Sequence, residues 1–351
     1  MSEAGTSSQD GAPALAVVVV TWRCAETIGP ALAAVTRELG PDDELVIVDN
    51  ASGDGTAEAA AAAAPAARVV RMEENVGFAA GCRAGADAST APLLLFLNPD
   101  AEPQPGTLDA LRAAAAEHPG WGAWQAAVVL PDGTLNSGGG VVHYLGFAWA
   151  GRLGEPAAAI GTAPHEVGFA SGAALTVRRE LWDRLGGFDD EYFMYAEDVD
   201  LSLRLRLAGW GVGIVPAARV VHDYEFAKGG YKWFLLERNR WWTVLATYPP
   251  RLLAAVLVPM LATEVGLLAV AARGGWLREK LRAQGAVLTT LPRTVRRRRA
   301  VQAEAAIGAR AFAAALASEL SNPNLGAAGR SGPLRIVLTA YWRAAARLLG
   351  R

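Results

Sequence analysis

The N-terminal third of the chain alternates between short apolar runs and longer segments of helical character. In chain order the runs and segments are 15–20, 27–39, 45–49, 56–64, 69–72, 78–88 and 93–98. Short β-branched runs bounded by polar residues are typical of strands buried on both faces of a parallel sheet. The alternation therefore predicts a doubly wound α/β sheet, whose ligands bind at the carboxyl ends of the strands. Asp49, Asn75 and Asp100 fall at or just beyond those ends.

A second feature is an acidic run further along the chain. Glu197, Asp198 and Asp200 crowd the first turn of a predicted amphipathic helix. The positive end of a helix favours anions there, and the leucines that follow prevent all three carboxylates from facing water. Such crowding indicates a catalytic base. Helix capping by Asp198 beside ordinary surface acids is the alternative.

The acidic run is the last of six motifs that stand in a fixed order. They occupy residues 46–56, 75–81, 94–101, 171–175, 185–189 and 196–201. Together they resemble glycosyltransferase family 2, over roughly residues 14–248. The resemblance implies an inverting enzyme that uses a nucleotide-sugar donor, and a GT-A fold, which is a Rossmann-like, doubly wound mixed sheet.

In the family that the chain resembles, an acid at the position of Asp198 is the catalytic base, and the neighbouring Glu197 supports it. A carboxylate held at a packed helix start can take the proton of an acceptor hydroxyl while the anomeric carbon is attacked, which gives inversion in a single displacement. Glu197 remains a rival base, because adjacent acids titrate as a coupled pair. Gly172 and Ala173 are expected to let the backbone approach the sugar or the acceptor.

The remaining donor-binding residues are predicted from their chemistry and their positions in the chain. Asp49 can accept the imide N–H of uracil or thymine, and Thr21 is expected to line the base. Arg83 follows the loop of Asn75 and Gly77 and is expected to reach ribose or phosphate.

Many family members bind a divalent metal through an Asp-x-Asp motif, whereas this chain has Asn98-Pro99-Asp100. A subgroup with rhamnosyl- and galactofuranosyl-like activities carries related variants. Asp100 is then the anionic ligand, Asn98 a donor-binding residue, and His222 matches the family's late histidine ligand. Oxygen ligands with one imidazole suit Mg²⁺ or Mn²⁺, which would neutralise the leaving diphosphate.

The composition changes after residue 248. Residues 252–272 are almost wholly apolar, with interruptions at Pro259 and Glu264, and a basic tract follows that ends in 296–299, four consecutive arginines. About 20 apolar residues can cross a bilayer, but nucleotide sugars are cytosolic, and a basic tract also prefers the cytosolic side. We therefore expect a kinked, in-plane or re-entrant element, with the four arginines bound to anionic lipid headgroups rather than nucleic acid. A buried core helix, a dimer interface and a true span remain alternatives.

The sequence thus predicts a disordered segment at 1–13, a GT-A domain at 14–248 and a helical, membrane-associated appendage at 249–351 that ends in an amphipathic helix. Cys24 and Cys82, the two cysteines, fit a reducing compartment.

The expected function is transfer of rhamnose or another hexose from a dTDP- or UDP-sugar to a polyprenyl-diphosphate-linked or other cell-envelope glycan at the cytoplasmic face of the membrane. A sugar nucleotidyltransferase would need a Gly-rich, basic loop after the first strand, where this chain has 21–24, Thr-Trp-Arg-Cys. A catalytically silent nucleotide-sugar-binding or scaffold protein is the third possibility.

Overall fold

The computed structural model describes residues 13–223, 229–320 and 332–349. The predicted disordered segment 1–13 lies outside the described residues, except for its last residue. The alternating region forms, in order, β1 Leu15–Thr21, α1 Ile28–Glu38, β2 Glu44–Asp49, α2 Thr56–Ala63, β3 Arg68–Arg71, α3 Gly77–Asp87 and β4 Leu93–Leu97. The strands and helices therefore follow the predicted order, with ends that differ by at most one residue.

The second half of the sheet is less regular. Its elements are β5 Ala101–Pro103, α4 Thr107–Glu117, β6 Trp121–Val129, β7 Leu135–Ser137, β8 Gly140–Val142, β9 Ala148–Ala150, β10 His165–Glu166, β11 Ala174–Arg178, α5 Arg179–Leu185, α6 Glu197–Leu207 and β12 Gly211–His222. The main sheet has the order β10-β12-β6-β11-β4-β1-β2-β3. β1 to β4 pair in parallel, whereas β11 runs antiparallel to both β4 and β6. The predicted mixed α/β sheet is confirmed.

Both faces of the sheet are covered, as the β-branched runs predicted. Successive residues of β1 enter different hydrophobic clusters, with Val17 and Val19 on one face and Val18 and Val20 on the other. Helix α3 lies close against β1, because a Cβ atom at Gly85 would stand 2.2 Å from a methyl of Val18. This close approach holds α3 against the strand that ends at Thr21.

The chain after β12 is helical where it is described. It forms α7 Tyr231–Thr247, α8 Pro250–Arg273, α9 Leu277–Thr289, α10 Leu291–Ala303, α11 Ala309–Ala313 and α12 Gly332–Leu348. Helix α8 is long and apolar enough to cross a bilayer by length and composition, with a mean hydropathy of 2.2 over its most apolar window. Its outward side chains include Val258, which is 72% exposed, and Val265, which is 70% exposed. An apolar helix is therefore present where the sequence predicted one.

The acidic residue within α8 faces the protein. Glu264 is buried and pairs with Arg240 of α7 and with Lys280 of α9, whose Nζ lies 2.5 Å from Glu264 Oε2. Glu237 of α7 also pairs with both of those cations. These buried pairs hold α7, α8 and α9 together, and they explain how an acid is accommodated in an apolar helix without facing lipid.

The expectation that all four arginines at 296–299 bind lipid headgroups is wrong for two of them. Arg297 lies 2.7 Å from Asp189 and 2.5 Å from Asp200, and Arg298 donates to the carbonyls of Leu245 and Tyr248 at 2.7 and 2.8 Å. The reason is helix geometry, because consecutive residues of α10 are turned by about 100° and cannot all face one surface. The side chains at 296 and 299 are the exposed ones.

Candidate active site

The ends of β1 and β2 place two predicted donor-binding residues side by side. Thr21 and Asp49 are register partners, and Thr21 Oγ1 lies 3.5 Å from an Asp49 carboxylate oxygen and donates to Val48 O at 3.2 Å. Both side chains are buried. The next residue, Asn50, was not predicted as a site residue, yet its amide donates to Gly77 O and accepts from Val76 N, both at 3.0 Å. Asn50 therefore joins the end of β2 to the loop that begins α3.

That loop has a conformation that requires glycine. The Asn75 side chain accepts from Gly77 N at 3.0 Å, and Gly77 has a φ of +84°, a value that residues with a Cβ rarely adopt. A Cβ atom there would stand 2.4 Å from the carbonyl oxygen of Phe193. The predicted donor loop thus lies directly against the segment that leads into α6.

Asn98, Asp100 and His222 come together beyond the end of β4. Strand β12 pairs with β5 so that His222 is opposite Ala101. His222 Nε2 lies 3.0 Å from Asp100 Oδ1 and 3.3 Å from Asn98 Nδ2. His222 is buried, whereas the Asp100 side chain is 50% exposed. The predicted pair of metal ligands is therefore adjacent, with the carboxylate at the surface of the site.

The same strand ends connect this group to the acidic run. Because β11 is antiparallel to β4, with Ala174 opposite Leu97, Asn98 N donates to Ala173 O at 3.1 Å. The neighbouring Gly172 N donates to Asp198 Oδ2 at 2.9 Å. A continuous set of contacts thus runs from the predicted base to the predicted metal ligands.

The two adjacent acids differ in their surroundings. Burial raises the pKa of both, and for Glu197 the charge of Asp198 raises it further, to well above its usual range. Asp198 accepts from the N–H groups of Gly172 and Val199, at 2.9 and 2.7 Å, which lower its pKa in part. Glu197 Oε2 is buried with no hydrogen-bond partner among the described residues. Because bonds from N–H groups favour the charged form, Asp198 is better placed than Glu197 to carry the negative charge of the pair.

The third acid of the run has a different environment. Asp200 is 0% exposed and accepts from Arg204 Nε at 2.7 Å, Arg297 Nη2 at 2.5 Å and the Tyr192 hydroxyl at 3.1 Å. Burial alone would raise the pKa of Asp200, but the charges of Arg297 and Arg204 bring it below its usual value. Asp200 is thus a fully paired structural anion.

Arg83 does not join the other predicted donor-binding residues. Its Nε donates to Asp190 at 2.8 Å, and its Nη2 donates to the carbonyls of Gly186, at 2.9 Å, and Phe188. The guanidinium therefore stabilises the segment at 186–190, which precedes α6. Its predicted contact with ribose or phosphate has no support in this geometry.

A second residue that sequence reasoning missed is Trp22, which directly follows Thr21 and is 51% exposed. The Arg23 guanidinium lies 5.0 Å from the centre of its ring. The available sequence signal was its position, because Trp22 directly follows the buried strand that ends at Thr21.

The pair Asp100 and His222 is compatible with a divalent metal. Within the described part of the chain, no group of three or more His, Cys, Asp and Glu side chains could hold one. One carboxylate oxygen and one imidazole nitrogen nevertheless fit Mg²⁺ or Mn²⁺ bound by few protein ligands and completed by substrate phosphates and water.

Two solved structures share this fold. Mannosyltransferase PcManGT from Pyrobaculum calidifontis, in complex with GDP-Man and Mn²⁺, superposes with a TM-score of 0.50 at 20% identity, covering 96% of this chain and 87% of that one. GalNAc-T7 with UDP, GalNAc and Mn²⁺ superposes with a TM-score of 0.55 at 16% identity, covering 70% of this chain and about half of that one, 51%. Identities this low establish the GT-A fold alone.

Sequence comparisons give the family. The glycosyl transferase family 2 model matches residues 16–181. The N-acetylglucosaminyl-diphospho-decaprenol L-rhamnosyltransferase of Mycobacterium tuberculosis (strain H37Rv) is 32% identical over 238 residues, which cover 61% of this chain and 78% of that protein. Rhamnosyltransferase WbbL of Escherichia coli (strain K12) is 38% identical over 80 residues, which cover 21% of this chain and 30% of that protein. The chain therefore belongs to glycosyltransferase family 2.

Proposed function

We propose that this glycosyltransferase is an inverting enzyme that transfers rhamnose or another hexose from a dTDP- or UDP-sugar to a lipid-linked glycan. The observation that carries the proposal is the continuous contact from Asp198 through Gly172, Ala173 and Asn98 to His222 and Asp100. These contacts support a carboxylate base and diphosphate-binding groups at one edge of the sheet, as a single displacement requires.

The chemistry assigned to the acids follows from their surroundings. Asp198 carries the negative charge and takes the proton of the acceptor hydroxyl as that oxygen bonds to the anomeric carbon. The bond from the anomeric carbon to the diphosphate breaks at the same time, and its electron pair leaves with the diphosphate. Attack from the side opposite the leaving group inverts the configuration. Glu197, protonated and buried, keeps a second negative charge away from the base.

The nucleotide is assigned to the ends of β1 and β2. Asp49 accepts the imide N–H that uracil and thymine share, Thr21 lines the base, and the exposed ring of Trp22 offers a stacking surface. The loop of Asn75 and Gly77, which Asn50 joins to the end of β2, is assigned to the same nucleotide.

The leaving diphosphate is assigned to the residues beyond the end of β4. Asp100 and His222 would hold Mg²⁺ or Mn²⁺, with the Asn98 amide beside them. When bound, the metal ion supplies positive charge that stabilises the departing diphosphate. The two structural neighbours that contain Mn²⁺ support this assignment.

A lipid-linked acceptor is supported by two independent observations. The mycobacterial relative is named for an N-acetylglucosaminyl-diphospho-decaprenol substrate. In this chain, α8 and α12 expose large apolar side chains, among them Val258, Leu261, Val265, Ile336 and Val337. Such a surface suits the interface of a membrane. We place it on the cytoplasmic face, where nucleotide sugars are available, with the exposed arginines at 296 and 299 contacting anionic headgroups.

The test is transfer by the purified full chain, with a panel of dTDP- and UDP-sugars, a polyprenyl-diphosphate-linked N-acetylglucosamine acceptor, and Mg²⁺, Mn²⁺ or a chelator. We expect transfer from one of the donors. NMR of the product should show that the anomeric configuration is inverted relative to the donor, and little product should form in the presence of chelator. Retained configuration would refute the single displacement. Release of inorganic diphosphate from a nucleoside triphosphate would indicate a nucleotidyltransferase. Donor binding without turnover would indicate a catalytically silent protein.

A further inference from the structure

The segment that leads into the acidic helix has an unusual backbone. Phe193, Tyr195 and Ala196 have φ angles of 63°, 69° and 67°, in the left-handed region that residues other than glycine rarely adopt. Three such residues within four positions persist only where surrounding contacts determine the conformation. We call residues 192–196 the base loop, because Glu197 and Asp198 follow it directly.

One side chain makes several of the contacts that hold the base loop in this conformation. Asn239 of α7 is fully buried, and its Nδ2 donates to the carbonyls of Tyr192, Met194 and Tyr195 at 3.1, 3.0 and 2.7 Å. Its Oδ1 accepts from Arg238 Nε at 2.9 Å, which fixes the orientation of the amide. A group with two N–H bonds thus serves three carbonyls, which an aspartate of the same shape could not do because its carboxylate has no N–H.

The base loop also connects the two halves of the proposed active site. On the donor side, Phe193 O accepts from Ala79 N at 3.1 Å and lies where a Cβ atom of Gly77 would be. On the base side, Ala196 O accepts from Asp200 N at 2.9 Å, which is the first hydrogen bond of α6. A displacement of the loop would therefore move the start of α6 relative to the donor loop.

We propose that Asn239 is a positioning residue for glycosyl transfer, which holds the base loop so that Asp198 faces the donor. The side-chain hydrogen bonds of Asn239 involve the base loop and Arg238, so it acts through the backbone of the base loop. The proposal rests on the proposed function for the identity of the base. It adds that α7, which follows all the sequence motifs, determines where the base stands.

The test compares Asn239→Asp with Thr247→Val. The aspartate has the same shape but cannot donate to the three carbonyls. The control removes another buried hydrogen bond of α7, from Thr247 Oγ1 to Thr243 O at 2.8 Å, which does not involve an atom of the base loop. Misplacement of a catalytic group by about 1 Å can cost on the order of 10²-fold in rate. We expect kcat to fall by about that factor in Asn239→Asp, with the donor KM and the dissociation constant of the nucleotide within about threefold of the wild type. Thr247→Val should keep kcat within about threefold of the wild type, even if its melting temperature falls by as much as that of Asn239→Asp.

A second readout does not require activity. Amide hydrogen exchange of the peptide that covers 190–200 should become faster in Asn239→Asp and stay unchanged in Thr247→Val. If Asn239→Asp fails to fold, Asn239→Ser, which keeps a single donor, is held to the same criteria. Unchanged kcat and unchanged exchange in a folded Asn239 variant would overturn the positioning role while leaving the proposed function intact. Absence of transfer by the wild-type chain would instead overturn the proposed function.

Discussion

Replacement of Arg297 by Gln should destabilise the protein far more than replacement of its exposed neighbours in the basic run. The guanidinium pairs with Asp200, whose side chain is 1% exposed, at 2.5 Å, and with Asp189 at 2.7 Å. Removal of one partner of a buried ion pair costs about 3–5 kcal/mol, because the remaining charge is left in a medium of low polarity. Arg204 still compensates Asp200 at 2.7 Å, so we expect the lower end of that range, about 3 kcal/mol.

The assay is urea unfolding of the full chain. Arg297→Gln should lower the free energy of unfolding by about 3 kcal/mol, whereas Arg296→Gln and Arg299→Gln, which replace exposed side chains, should change it by no more than about 0.5 kcal/mol. In flotation with anionic liposomes, Arg296→Gln and Arg299→Gln should instead have the larger effect on binding, and Arg297→Gln the smaller one. Each exposed arginine should contribute about 1 kcal/mol, roughly a fivefold change in partition, and this contribution should weaken with salt.

Equal stabilities for the three variants would refute the reasoning, because they would show that Arg297 and Asp200 are not a desolvated pair in solution. A loss of liposome binding confined to folded Arg297→Gln would likewise contradict the orientation of α10. Asp200→Asn combined with Arg297→Gln completes a double-mutant cycle. The cost of the second substitution should be smaller when the first is already present.

Three further predictions concern the site and the helical region. Asp198→Asn should keep donor affinity and lower turnover by about 10²-fold or more, as loss of a general base does; near-normal turnover would move the assignment to Glu197. His222→Ala should abolish the difference in nucleotide affinity, measured by titration calorimetry, between Mg²⁺ or Mn²⁺ and chelator; a difference as large as in the wild type would exclude it as a ligand. Burial alone would raise the pKa of Glu264, but its buried cationic partners lower it to about 2, so its contribution to stability is present above about pH 4.5 and is lost as the pH falls towards 2. The free energy of unfolding of the wild type should therefore approach that of Glu264→Gln over this interval, and a constant difference between them would contradict the assignment.

The order of the strands and helices was predictable because it depends on local patterns. Apolar runs such as 15–20 and their helical neighbours specify a covered parallel sheet, and polar residues at the ends of parallel strands must share one edge. The adjacency of Thr21 and Asp49 followed from that rule. The approach of His222 to Asp100 depends instead on the pairing of β12 with β5, and only the family resemblance anticipated it.

The failures concern side chains whose partners are distant in sequence. Arg83 was assigned to the donor because it follows the donor loop, but its partners, at 186–190, come from a segment about 100 residues later. Arg297 was assigned to lipid because its neighbours are basic, yet its partners are Asp189 and Asp200. Neither composition nor periodicity specifies such long-range pairs. The contacts of Asn239 with the base loop were not predicted for the same reason, because a single asparagine in a helical segment carries no local signal of its distant partners.

The acidic run shows how one short sequence can supply three different environments. Successive residues at a helix start are turned by about 100°, so Glu197 enters the core, Asp198 meets the N–H of Gly172, and Asp200 turns towards Arg204 and Arg297. One acid thereby has a buried oxygen without a hydrogen-bond partner among the described residues, one accepts from backbone N–H groups, and one is paired with two arginines. The pairing of the third depends on α10, which lies beyond the predicted domain boundary at 248. The helices after that boundary therefore support the proposed base as well as forming the surface proposed to meet the membrane.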